Sequence, residues 1–160
     1  MMDDLSLKAA AAHSERGRDL AEEGSLEEAL TELNEALELD PRNIRALLSL
    51  AEVHMNIEEY EKALKYCQDA LMYQYDNVDS WMLMGNIYDE MGKHDKAVEQ
   101  LNFAYQFDPE NAEVLYLLGY VHAEKEDFAG AKDFLEKALQ VKPDHEDALR
   151  DLETVNEMLG

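Results

Sequence analysis

The sequence predicts an all-α fold, a solenoid of stacked helix pairs, because small and helix-ending residues recur every 34 positions without an insertion. Pro41, Pro109 and Pro143 keep this spacing, and Tyr75 stands where the remaining proline would fall. Two sets of alanines keep it in four copies: Ala29, Ala63, Ala97 and Ala131, and Ala36, Ala70, Ala104 and Ala138. The period divides one domain, 10–160, into the repeats 10–43, 44–77, 78–111 and 112–145.

The first helix of each repeat is predicted from an apolar face. In the third repeat, apolar or small residues fall at i, i+3, i+4 and i+7, as Trp81, Met84, Gly85 and Tyr88. This spacing places them on one side of a helix. Gly85 leaves room for a second helix to approach closely. Gly92 ends the first helix, because glycine adopts turn geometry at no steric cost.

The second helix of the third repeat presents a stripe formed by Ala97, Leu101 and Ala104. Asp108 and Pro109 end this helix, because a residue before proline avoids helical geometry and proline cannot continue the hydrogen bonding. In the first repeat, Ser25 followed by Glu28 predicts a capping box at the start of the second helix.

The two ends of the chain depart from the regular pattern. His13 and Arg16 occupy positions of the first repeat that should be apolar, so we expect partial exposure there. Residues 146–159 start the pattern again with Leu149 and Leu152 but lack a second helix. They are expected to form a capping helix whose polar outer face closes the stack. Residues 1–9 are assigned to an N-terminal extension.

These positions resemble the tetratricopeptide repeat, a 34-residue unit with an aromatic residue or Leu, then Leu-Gly, Tyr, Ala, Leu, Ala and Pro. The third repeat matches nearly all of them, and the resemblance covers roughly 10–160. The departures are Ala51 for glycine, His54 and His122 for tyrosine, and Tyr75 for proline. The resemblance implies a right-handed superhelix of four helix-turn-helix repeats plus the capping helix, with the first helices lining a concave groove.

Residues on the first helices, away from the packing stripe, are expected to face that groove. The candidate partner-binding residues are Arg18, Glu22, Arg45, Leu48, Glu52, Met55, Asn56, Asp79, Met82, Asn86, Asp89, Glu90, Glu113, Tyr116, Tyr120 and Glu124, with Ala11 and Ser14 beside them. Their mixture of large apolar residues and carboxylates suggests a peptide or amphipathic helix with apolar anchors and basic flanks. The alternative is that the same assembly, or a neighbouring copy, covers them.

Some tetratricopeptide domains grip the C-terminal carboxylate of heat-shock chaperones with lysines, an arginine and asparagines. The corresponding positions here carry Ser14, Arg18, Ser49, Asp79 and Leu83 in one frame, and Leu48, Glu52, Leu83, Glu113 and Leu117 in the next. Neither set supplies the positive charge that a carboxylate needs. A carboxylate clamp is therefore not expected.

The charge of the chain narrows the choice of partners. It has 37 acidic and 14 basic residues and a formal net charge of −23. Nucleic acid and anionic membranes would be repelled, whereas basic proteins would be attracted. Solubility alone is the alternative reason for the acidity. The single cysteine, Cys67, favours a reducing, cytoplasmic location.

No catalytic or metal site is expected from the sequence, and no cofactor. The five histidines do not form a closely spaced set with cysteines or carboxylates along the chain. Cys67 stands at a helix-packing position between Ala63 and Ala70, which suits a small buried residue better than a nucleophile. We find no phosphate-binding loop or nucleophile elbow.

The sequence therefore favours a non-enzymatic protein-interaction adaptor. One alternative is a chaperone for secreted or otherwise insoluble clients, because this small acidic chain resembles the tetratricopeptide proteins of bacterial export systems. The other is a structural module that assembles with copies of itself.

Overall fold

The computed structural model describes residues 3–160, and within that range the chain forms nine α-helices and no strand. The helices are α1 (Asp4–Glu22), α2 (Leu26–Leu39), α3 (Ile44–Asn56), α4 (Tyr60–Tyr73), α5 (Val78–Glu90), α6 (His94–Phe107), α7 (Ala112–Glu124), α8 (Phe128–Val141) and α9 (Glu146–Leu159). The predicted all-α class is confirmed. Helix α1 begins at Asp4, within the segment 1–9 that the sequence analysis assigns to an N-terminal extension, and Met1 and Met2 lie outside the described residues.

The described chain falls into two compact units, the first ending at Leu83 and the second beginning at Met84, inside the continuous helix α5. In the first unit α1 pairs with α2, α3 packs on both, and α4 pairs with α3. Leu33, Ala36, Ala46, Leu50 and Val53 form a buried core there. The paired helices alternate along the chain as the 34-residue period predicts.

In the second unit α6 packs on α7, α7 pairs with α8, and α9 covers α8. Leu115, Leu135, Ala138, Ala148 and Val155 lie in one buried cluster, so the last helix completes this core. Leu149 is 49% exposed. It stands one repeat period after Leu115 of α7 and two after Trp81 of α5, which are buried.

The helix ends follow the repeat, although one predicted cap is wrong. Ser25 is the N-cap of α2, but its side chain makes no capping hydrogen bond. Side-chain caps occur at several first helices and at the second helix α8, where Asp127 accepts from the Gly130 amide. Asn43 accepts from the Ala46 amide at 3.0 Å, and Asn111 and His145 cap α7 and α9 in the same way. Asn43, Asn111 and His145 stand at equivalent positions of the repeat, so the 34-residue spacing could have predicted these caps.

A left-handed residue ends the first helix of each pair. Gly92, which was predicted to end its helix, has a φ of 68°, and Gly24 has a φ of 83°, but Glu58 and Glu126 adopt the same conformation with φ of 62° and 61°. A side chain with a Cβ is strained there by about 1–2 kcal/mol relative to glycine. The four residues stand 34 positions apart, so the repeat places the same turn at each of them, although glutamate is not typical of a left-handed turn position.

We expect Glu58→Gly and Glu126→Gly each to raise the free energy of unfolding by about 0.5–1 kcal/mol. Relief of the left-handed strain exceeds the added backbone entropy of glycine in the unfolded chain, about 0.4–1 kcal/mol. Urea denaturation at pH 7 measures the change. The matched control, Gly92→Glu, should change stability in the opposite direction, and a loss of stability in both glycine variants would contradict the expectation.

Candidate functional site

The predicted partner-binding residues all lie at the surface or in partly covered positions. Half-buried are Arg18, Leu48, Met55, Met82, Asn86, Asp89, Tyr116 and Tyr120, and exposed are Glu22, Arg45, Glu52, Asn56, Asp79, Glu90, Glu113 and Glu124. Ser14 is different. It is 1% exposed and its hydroxyl donates to the Ala11 carbonyl, so the expectation that it faces a groove is wrong.

In the first unit, α1, α3 and the start of α5 contribute charges to one surface. Partial desolvation by the surrounding protein raises the pKa of Glu52, and repulsion from Glu22 and Asp79 raises it further, while Arg18 opposes the shift. These side chains therefore lie within electrostatic reach of one another. The surface is acidic, with Arg18 as a single basic group among these four.

One hydrogen-bond donor of Arg18, its Nε–H, has no protein acceptor although acidic residues lie nearby. Its Nη2 donates to Asp19 Oδ1 at 2.9 Å, but its buried Nε makes no hydrogen bond to protein, and Glu22 Oε1 lies 3.6 Å away. A buried donor without a partner is costly, which makes this N–H a candidate for hydrogen bonding to a bound carbonyl.

In the second unit, Tyr116 is fixed by contacts to α9. Its hydroxyl donates to Asp151 Oδ2 at 3.2 Å, and its ring lies 4.8 Å from the ring of His145. His145 Nε2 in turn lies 3.3 Å from Glu113 Oε2. Desolvation and the neighbouring Asp151 carboxylate raise the pKa of Tyr116 far above its usual range. Tyr116 and Glu113 therefore hold α9 in place, in addition to any contact with a partner.

Tyr120 is an aromatic residue with four carboxylates near its hydroxyl. Desolvation raises the pKa of its hydroxyl, and so do the carboxylates of Glu124, Asp89, Asp151 and Glu90. Asp89 also lies 2.7 Å from His94 Nδ1, which ties it to α6. A half-buried ring with four carboxylates around it favours a cationic neighbour, since both the ring face and the acidic groups attract positive charge.

A pocket of about 280 Å³ opens beside this ring, and we name it the Tyr120 pocket. It is lined by Tyr120, Ala123, Glu124, Phe128, Asp151, Thr154, Val155 and Met158. The lining combines apolar surface with two carboxylates. Such a pocket suits an alkyl stem that ends in a positive charge.

Sequence reasoning missed the part of this pocket that α9 supplies. Thr154 stands one repeat period after Tyr120, and Met158 stands one period after Glu124, so the repeat register could have identified both. The prediction of a capping helix concerned only the packing of α9 on the stack and therefore did not include them. Asp151 carried no such signal, since Leu117 stands one period before it.

Cys67, His54 and His122 are held by burial or by contacts to neighbouring side chains. Burial raises the pKa of Cys67 to about 12, so the group is a thiol at neutral pH rather than a nucleophilic thiolate. His54 lies 2.7 Å from Glu59 and stacks on Tyr66. His122 makes the corresponding contacts in the fourth repeat, to Asp127 at 2.8 Å and to the ring of Phe134.

The sequence of residues 19–152 matches the model of the family described as the tetratricopeptide repeat protein 21 C-terminal ARM domain. The chain belongs to the tetratricopeptide repeat family. A search of curated proteins gives no match. Within residues 3–160, no helix is long and apolar enough to cross a membrane.

Solved structures of tetratricopeptide proteins share this fold. PilF of Pseudomonas aeruginosa is 26% identical, with a TM-score of 0.86 over 92% of this chain and 68% of PilF. YrrB, described as a tetratricopeptide protein with an unusual peptide-binding site, is 27% identical, with a TM-score of 0.73 over 94% of this chain and 76% of YrrB. MamA, at 19% identity, has a TM-score of 0.75 over 94% of this chain and 82% of MamA, and shows the fold alone.

Proposed function

We propose that this tetratricopeptide protein is a non-enzymatic, cytoplasmic scaffold that binds a basic segment of a partner protein on the exposed sides of its first helices. The Tyr120 pocket carries the proposal, since it combines an apolar lining with carboxylates from α7 and α9. The peptide-binding site named for YrrB supports this general mode of binding.

The occupant of the Tyr120 pocket is inferred from its chemistry. The methylene groups of a lysine or arginine would pack on Tyr120 and Phe128, while the charged end would face Glu124 and Asp151. The carboxylates of Asp89 and Glu90 add to the attraction. An acidic or neutral segment would leave these carboxylates without a positively charged partner. The charge of a segment should therefore decide whether it binds.

The first unit has an acidic surface of its own that would also bind a basic segment. Glu52 lies close to Glu22 and Asp79, and a bound cation would relieve their mutual repulsion. The Arg18 Nε–H would donate to a main-chain carbonyl of the partner. Apolar contacts would come from three half-buried residues, Leu48, Met55 and Met82.

Fluorescence anisotropy with synthetic peptides tests the proposal. The probe is a labelled peptide of alternating Lys and Leu, and its counterpart of the same length carries Glu in place of every Lys. We expect the basic peptide alone to bind, with an affinity that falls as salt is raised, because exposed charges are screened. Light scattering beforehand measures whether the protein is monomeric, which separates peptide binding from self-assembly.

Variants then locate the binding. We expect Glu124→Lys to weaken the basic peptide roughly tenfold or more, since it replaces attraction by repulsion at the pocket. Glu136→Lys makes the same charge change on the exposed side of α8 and should have a much smaller effect. Tyr120→Ser should also weaken binding without loss of helicity. Tyr116 is unsuitable for this purpose because its hydrogen bond to Asp151 joins α7 to α9.

Two results would contradict the proposal. Equal weakening by Glu124→Lys and Glu136→Lys would mean that net charge alone attracts the peptide. Equal binding of the Lys and Glu peptides would remove the basic segment as the ligand.

A further inference from the structure

One histidine of this protein faces two carboxylates at once. His13 Nδ1 lies 2.7 Å from Glu32 Oε2 and 3.2 Å from Glu35 Oε2. One ligand atom from each of these three residues lies within 4.8 Å of the other two. No sequence pattern predicts this set, because 19 or more positions separate His13 from the glutamates and only the pairing of α1 with α2 brings them together.

The repeat itself does not require these polar residues. Residues 34, 68 and 102 positions after His13 are Leu47, Trp81 and Leu115, and those after Glu32 are Tyr66, Gln100 and Phe134. The three later repeats therefore have an apolar residue at the histidine position and no acidic residue at the position of Glu32. The first repeat instead has an imidazole that faces carboxylates.

The backbone that carries the three side chains is firmly held. Ala10, Ala29, Leu33 and Ala36 are fully buried around it. A Cβ added at Gly17 would lie 2.6 Å from Leu33 Cγ, so α1 and α2 are in close contact one turn from His13. The ligand-bearing positions thus have a fixed separation, which favours metal binding over a flexible surface cluster.

A further contact orients one of the carboxylates. Arg16 Nε lies 3.2 Å from Glu32 Oε1, while the other oxygen, Oε2, faces His13. Outer contacts of this kind fix the direction of a ligating carboxylate. Glu35 is half exposed, so the cluster is open to solvent on its side.

We propose that His13, Glu32 and Glu35 form a binding site for a divalent transition-metal ion, with Zn²⁺ as the best fit. One imidazole nitrogen and two carboxylate oxygens are suitable zinc ligands, and water would complete a tetrahedral shell. Ligand atoms about 2.0–2.1 Å from zinc lie roughly 3.3 Å apart. His13 Nδ1 lies 2.7 Å and 3.2 Å from the two glutamate oxygens, and all three ligand atoms lie within 4.8 Å of one another, so rotation of these side chains would bring them to the spacing of zinc ligands. To bind Zn²⁺, His13 Nδ1 must carry no proton, so the ring proton of the metal-bound imidazole would be on Nε2.

A simple ion pair is the competing explanation, and the other histidines show what one looks like. His54, His94 and His122 each face a single carboxylate, at 2.7–2.8 Å. Among the residues the structure describes, the triad with His13 is the set of three ligand atoms close enough to hold an ion. The histidines with one carboxylate provide matched controls.

Isothermal titration of the full chain with ZnCl₂ tests the site. We expect one zinc equivalent to bind more tightly than any further ones, and His13→Asn and Glu35→Gln each to weaken that equivalent roughly tenfold or more. His122→Asn, which removes a histidine with a single carboxylate, should leave it unchanged. Zinc should also raise the melting temperature of the wild type more than that of either ligand variant.

Addition of Co²⁺ gives a second readout. A tetrahedral or five-coordinate site gives a visible absorption band that should disappear in His13→Asn. Circular dichroism verifies that Glu35→Gln, a change at a half-exposed position, keeps its helices. Absence of zinc binding in the wild type, or equal binding by the wild type, His13→Asn and Glu35→Gln, would overturn the proposal.

Discussion

Replacing Cys67 by leucine is expected to lower the free energy of unfolding by about 1–3 kcal/mol, and adding Ala51→Gly should recover most of that loss. The reason lies in the other repeats. A Cβ built on Gly17, Gly85 or Gly119 would lie 2.6–2.7 Å from the Cγ of Leu33, Leu101 or Leu135, respectively. Glycine on the first helix therefore makes room for a leucine on the second.

The second repeat has different residues at these two packing positions. Ala51 stands in the glycine position, and Cys67 stands in the leucine position, one repeat period before Leu101. Both are fully buried. The smaller sulfhydryl side chain compensates for the methyl group of Ala51. This gives a physical reason for the lone cysteine that needs no thiol chemistry.

A double-mutant cycle measures this compensation. Cys67→Leu alone overpacks the site, and Ala51→Gly alone costs about 1 kcal/mol in helix propensity besides a small cavity. Together they recreate the glycine–leucine pair of the other repeats, so the two changes should couple favourably by at least about 1 kcal/mol in urea denaturation. Gly85→Ala, without a change at Leu101, is the matched control and should only destabilise. Additive single effects would contradict the proposed compensation.

The regular part of the structure could be predicted from the sequence because it depends on local, repeated features. Apolar spacing identified the helices, and α6 ends at Phe107, just before Asp108 and Pro109, as expected. The left-handed Glu58 and Glu126 show the limit of residue preference. At these turns the backbone geometry of the repeat overrides the intrinsic preference of the side chain.

The candidate sites were harder to predict because they depend on which side chains meet across helices. Tyr120 was identified from its helical face, but the surrounding carboxylates come from three different helices. The contact between Tyr116 and Asp151 joins residues 35 positions apart. The repeat register marks His13 as a departure, but the cluster also depends on the pairing of α1 with α2 and on particular rotamers, which the sequence pattern does not give.

Val155→Asp is expected to destabilise the second unit by about 3–5 kcal/mol, because it would bury a carboxylate without a partner. Val155 is 2% exposed and lies in the core with Leu135 and Ala138. The change should detach α9 from α8 and remove one wall of the Tyr120 pocket, to which Val155 also belongs. Binding of the basic peptide should weaken with it.

Amide hydrogen exchange identifies the helices that Val155→Asp destabilises. Amides of α7, α8 and α9 should exchange faster, whereas those of α1 to α3 should change little, because each repeat of a solenoid depends mainly on its neighbours. Asn156→Asp, which adds a carboxylate at the adjacent exposed position, should leave exchange nearly unchanged. Uniformly faster exchange in Val155→Asp would mean that the chain unfolds as one cooperative body. Equal effects of the two aspartates would mean that α9 contributes little to the core, which the burial of Ala148 beside Val155 argues against.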